Sequence, residues 1–90
     1  MEKAEFQKKL AKINKIASKY KWIHVSRDMN NYRVSFKDEL SIYRVDIYLS
    51  KMTVCLLPAG EKPVYFKRQN LEMLEGIFKQ PHAYELGQTE

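Results

Sequence analysis

Lys8, Lys12, Lys15 and Lys19 recur at three- and four-residue steps near the start of the chain, a spacing that lines ammonium groups along one side of a helix. Such a row can neutralise phosphates: each contact releases condensed counterions, a favourable effect that does not depend on base sequence. A second set alternates through the middle of the chain. Arg33, Lys37, Arg44, Tyr48, Tyr65 and Lys67, with Trp22 and His24 upstream, share one sheet face if side chains alternate regularly. Aromatics interleaved with cations stack on unpaired bases while the charges follow the backbone, and the same mixture also suits contact with a protein. Lys8, Lys12, Lys15, Lys19, Arg33, Arg44, Tyr48 and Lys67 are therefore the candidate nucleic-acid contacts. A solvated helix face is the competing account of the lysine row.

Catalysis finds few residues of the right kind. The three glycines, Gly60, Gly76 and Gly87, make no phosphate-cradling spacing. His24 and His82 lack carboxylates at ligand-like spacing, so neither a metal site nor a cofactor is expected. Asp46 falls mid-strand among cations and is expected to pair with Arg44, Arg33 or another neighbour as a structural ion pair. Cys55, between Val54 and Leu56, reads as a small buried apolar residue rather than a nucleophile. As the lone cysteine it excludes an internal disulfide. A non-enzymatic protein is the expectation.

Charge is informative by position. Residues 1–21 hold seven lysines against two glutamates, and residues 22–90 hold equal numbers of bases and acids, so the whole net charge of +5 belongs to the first segment. That asymmetry points to an acidic partner. No stretch is apolar enough for a signal peptide or a membrane span, and a cytoplasmic location is expected. A chain of 90 residues buries only about 60 to 65% of its unfolded surface. Marginal stability of that kind would gain from a partner or from a homodimer.

The elements that must position these residues are legible from periodicity. Phe6, Leu10, Ile13, Ala17 and Tyr20 form the apolar stripe of a helix from residue 3 to about 20. Trp22 to Arg27 alternates as a strand, with Ile23 and Val25 expected inward and Trp22 and His24 outward. Asp28-Met29-Asn30-Asn31 is a turn cluster, and Tyr32, Val34 and Phe36 mark a second strand. Residues 41–58 read as a hairpin about Ser50-Lys51, with Tyr43, Val45, Ile47, Leu49, Met52, Val54 and Leu56 on its core face. Pro58 to Pro63 is a loop, and Val64 to Lys67 a short fifth strand. Asn70 is a credible N-cap for a helix carrying Leu71, Leu74, Ile77 and Phe78, which ends before Pro81. Gly76 within it implies either close packing or a frayed end.

Tyr43-Arg44-Val45-Asp46-Ile47-Tyr48, Thr53-Val54-Cys55-Leu56, Phe66-Lys67-Arg68, Leu74-Glu75-x-Ile77-Phe78 and Pro81 resemble a family of short uncharacterised proteins. Its members carry an R-x-N-V-Y strand, a T-V-x-T-x-L strand, an L-F-R-R step and an L-x-x-I-F-x-N-P-R helix end. Lys67-Arg68 stands here for the paired arginines, and His82-Ala83-Tyr84 replaces the R-x-H-T continuation. The resemblance spans residues 43–82 and implies one folding unit of hairpin, strand and helix, without an activity. The order of a helix, an antiparallel meander and a helix is also similar to that of the double-stranded RNA-binding domain, whose second helix begins with basic residues where this chain has Asn70-Leu71-Glu72.

The expected fold is α+β, an antiparallel four- or five-stranded meander with one helix before and one after it, both on one face. Residues 1–81 form a single domain and 82–90 a loosely ordered tail. The leading functional expectation is a small basic nucleic-acid-binding protein. The alternative is an inhibitor or adaptor, of the kind phages and mobile elements encode, that acts by binding a larger protein.

Overall fold

A computed structural model describes residues 1–84. Helix α1 (Lys3–Lys19) leads into strands β1 (Ile23–Asp28), β2 (Arg33–Lys37), β3 (Tyr43–Tyr48), β4 (Thr53–Pro58) and β5 (Val64–Phe66), followed by helix α2 (Leu71–Lys79) and a 3₁₀ turn, Pro81–Tyr84. The five strands pair antiparallel in sequence order. The fold is α+β, a meander between two helices.

Both helices pack on one sheet face. Phe6, Leu10, Ile13 and Ala17 of α1, Leu74, Ile77 and Phe78 of α2, and Val34, Phe36, Val45, Ile47, Val54, Leu56 and Phe66 of the sheet form one buried cluster. Each comes from an apolar position repeating at the period of its element, which is why these segments bury the faces they do. Asn70 caps α2 as its residue type requires, its side chain accepting the Met73 N–H at 2.8 Å. Gly76 answers to packing. A methyl group there would lie 2.7 Å from the Tyr84 hydroxyl.

Strand β1 is turned the other way from the alternation expected at its start. Trp22 is buried, and Ile23 and Val25 are 48% and 44% exposed. The cause lies at the end of α1, where Lys21 takes the left-handed conformation (φ 64°). Lys21 N–H then donates to the Ser18 carbonyl and Trp22 N–H to that of Ala17. This is a Schellman motif, which places the apolar residue following the left-handed one against the last turn of the helix. Trp22 is therefore drawn inward, its indole N–H donating to the Phe78 carbonyl at 2.8 Å and its ring meeting Phe78 edge-on at 5.1 Å. His24 follows on the same side, paired with Phe36, and Val25 forms a bulge before Ser26 pairs with Ser35. Neither Trp22 nor His24 belongs to the outer face.

The first three residues of the expected loose tail are ordered on the domain. His82, Ala83 and Tyr84 complete the 3₁₀ turn, and the Tyr84 ring packs edge-on against Phe66 at 5.8 Å. The contact takes part of the Tyr84 ring out of water, which favours the ordered turn. The remaining residues of that tail, 85–90, lie outside the described ones.

Candidate nucleic-acid interface on the open sheet face

The face of the sheet away from the helices presents three cross-strand rows. One runs Asp28, Arg33, Tyr48, Thr53; the next Ser26, Ser35, Asp46, Cys55, Tyr65; the third Ile23, Lys37, Arg44, Leu57. The middle row is its structural centre. Asp46 accepts from the Ser35 hydroxyl at 2.6 Å and from Arg44 Nε at 3.2 Å, so the ion pair expected of Asp46 is made with Arg44. Tyr65 reaches the Cys55 side chain. Burial is the main cause that pushes the Cys55 thiol up, with the Tyr65 hydrogen bond working against it. A buried, protonated thiol is a poor nucleophile.

In a meander the turns alternate between the two ends of the sheet, and the ends differ in chemistry. At one end lie the β1–β2 turn, the β3–β4 turn and the exit from β5. There Lys51, Thr53, Lys67 and Arg68 line a groove of about 580 Å³. The Gln69 N–H donates to the Met52 carbonyl at 2.8 Å and fixes the turn of Lys51 beside the segment of Lys67 and Arg68. Met52 and Arg68 both sit at positive φ, 50° and 55°, so the cations are held on sharply turned backbone. Tyr48 and Thr53 pair across β3 and β4, which carries this groove onto the aromatic part of the face. Tyr65 is 62% exposed and Tyr48 half-buried, with no helix over either. Arg33, next to Tyr48, has its Nε buried with no protein acceptor.

The lysine row of α1 faces away from this surface, because α1 packs on the opposite side of the sheet. Its members part company. Lys12, with Lys9, reaches the same end from the helix side, lining a pocket of about 320 Å³ with Met52, Gln69, Asn70 and Leu71. Lys19 donates to Glu75 Oε2 at 3.0 Å, where the Tyr20 hydroxyl also donates at 2.7 Å. Lys8 and Lys15 are exposed on the helix alone. Among the predicted contacts, then, Arg33, Tyr48, Lys67 and Lys12 gather at one end. Arg44 lies at the other, tied to Asp46.

Lys51 and Arg68 were absent from the sequence-based set. Their separation of 17 positions has no local signal, yet turn parity places both at one sheet end once a five-strand meander is assumed. Among the described residues no three His, Cys, Asp or Glu side chains gather as a metal site, and no helix is long and apolar enough to cross a membrane. Compared with protein-family models, curated proteins and solved structures, the chain matches none.

The Glu75 cluster gives a pH dependence of stability. The Tyr20 hydrogen bond, and after it that of Lys19, holds the Glu75 carboxyl below its ordinary range. A depressed carboxylate contributes stability that is full above the unfolded-state pKa and lost as pH falls through the folded one. Glu75→Gln should therefore lower stability slightly near neutrality and flatten the acid side of a pH–Tm profile. A variant whose acid limb overlays that of the parent would show that the cluster is without weight.

Proposed function

We propose that the protein binds single-stranded nucleic acid without catalysis, over the open sheet face and around its basic end. The observation that carries this is the convergence of Lys51, Lys67 and Arg68 beside Tyr48 and the exposed Tyr65. Bases have two rings on which to stack, and the phosphates between them have cations within reach of one groove. Lys9 and Lys12 extend the positive surface around the same edge, so a strand leaving the sheet face meets further charge. Unpaired strands suit such a face better than duplex, whose bases are not free to stack on tyrosine.

The test is fluorescence anisotropy of labelled single strands across salt concentration. Replacing Lys51, Lys67 and Arg68 together with glutamine should reduce the salt slope by about 0.7 per lost phosphate contact. Tyr65→Ala should cost about 1 to 3 kcal/mol of affinity, while Lys8→Gln with Lys15→Gln leaves the slope nearly unchanged. An unaltered slope in the triple variant, or a preference for duplex, would sink the proposal. The rival role, an inhibitor or adaptor acting on a protein, is favoured by a different observation: the opposite end of the sheet leaves Ile23, Leu40 and Ile42 exposed.

A further inference from the structure

A carboxylate stands in the middle of the open sheet face, between the two tyrosines. Asp46 is two positions from Tyr48 on β3, on the same side and about 7 Å along the strand, and its cross-strand row continues through Cys55 to Tyr65. The Tyr65 hydroxyl, pushed up first by Cys55, also feels Tyr48 and Asp46. The acid and both rings therefore form one patch.

Two protein bonds hold the Asp46 carboxylate, one from the Ser35 hydroxyl and one from Arg44 Nε, and both end on Oδ1. An ionised carboxylate accepts about four bonds over its two oxygens, so Oδ2 keeps its capacity. It has no partner among the described residues and is not sealed from solvent, in a side chain that is 16% exposed. Oδ2 is thus a recessed acceptor, oriented in advance by Ser35 and Arg44. A phosphate is repelled there by like charge. The edge of a base is not, provided that it carries donors. Unpaired bases present their Watson–Crick edges, and guanine alone offers two adjacent donors, N1–H and N2–H₂. Cytosine and adenine offer one amino group beside an acceptor. Thymine and uracil offer one N–H between two carbonyls, which face a carboxylate unfavourably.

We propose that Asp46 is a specificity-determining residue that reads a guanine stacked on the patch of Tyr48 and Tyr65, with Oδ2 accepting from its N1–H and N2–H₂ groups. This rests on the single-strand binding proposed above and adds a base preference to it. Phosphates engage the groove of Lys51, Lys67 and Arg68, and Asp46 chooses the base.

The experiment compares, by anisotropy at one salt concentration, a labelled thymidine oligomer with the same oligomer carrying one central guanine, cytosine or adenine. The guanine strand is expected to bind about tenfold more tightly than the all-thymidine strand, with cytosine and adenine between. Asp46→Asn keeps the size of the side chain and an acceptor for Ser35. It should remove most of the guanine preference and leave all-thymidine affinity nearly unchanged. Hypoxanthine in place of the guanine deletes the N2 amino group without touching the protein, and should weaken binding several-fold. Equal affinity of the four strands, with Tyr65→Ala costing affinity for all of them, would overturn the base preference and leave single-strand binding standing. A loss with Asp46→Asn that is the same for every strand would make the carboxylate structural and overturn it as well. No binding of any strand would remove single-strand binding itself, and this proposal with it.

Discussion

Trp22→Ala should destabilise the protein by about 3 to 5 kcal/mol, a large part of the roughly 5 to 15 kcal/mol that holds a domain folded. The indole is 6% exposed, joins the cluster that unites both helices with the sheet, and donates to the Phe78 carbonyl. Alanine removes the ring from the junction of α1, β1 and α2 and leaves that carbonyl without its partner. Trp22→Phe separates the two effects. It keeps most of the apolar volume and loses the donor, so about 1 to 3 kcal/mol is expected from the unpaired carbonyl alone. Urea denaturation followed by circular dichroism measures both variants on one scale. An outward Trp22, as simple alternation with Ile23 and Val25 inward would have it, predicts changes near zero, and a midpoint at the parent value would restore that arrangement.

Leu10→Ala should cost about 2 to 5 kcal/mol. Leu10 is 4% exposed, between Phe6 and Ile13, in the stripe that α1 lays on the sheet. The outcome bears on function as well as stability, because α1 carries the lysine row. A docked helix holds Lys12 at the rim beside Met52, Gln69 and Asn70. A detached basic arm would carry the same lysines without that placement, and its Leu10→Ala variant would unfold at the parent's denaturant concentration. If the loss is large enough to prevent folding, Leu10→Val gives the graded measurement. The smaller cavity should lower the midpoint without removing it.

The two changes probe places where sequence and structure stand in different relation. The stripe of α1 was legible because one period of 3.6 residues runs uninterrupted from Phe6 to Ala17, and burial of that face has no local competitor. The central hairpin was legible for the same reason at period two, with Val45, Ile47, Val54 and Leu56 all inside. Asn70 as a cap and the turn cluster of residues 28–31 were visible too. Each acts within three residues of itself, as the Asn30 N–H and Asn31 Nδ2, both donating to the Asp28 carboxylate, illustrate.

Sequence by itself therefore determined the order of elements, the sides of both helices, the core face of the hairpin and the basic character of α1. Tertiary structure decided the face of β1, the company kept by each cation and the fate of Tyr84. Ile23 and Val25 look as much like core residues as Trp22 does, and only the Schellman closure at Lys21, the carbonyl of Phe78 and the bulge at Val25 choose between them. Lys19 looks as free as Lys15 until Glu75, 56 positions away, arrives across the helix pair. Lys51 and Arg68 become neighbours through one backbone hydrogen bond between turns. Local pattern records what a residue prefers within a turn of helix or a strand pair. Contacts between distant segments depend on the register and parity of the whole sheet, and that information is held by no single stretch of the chain.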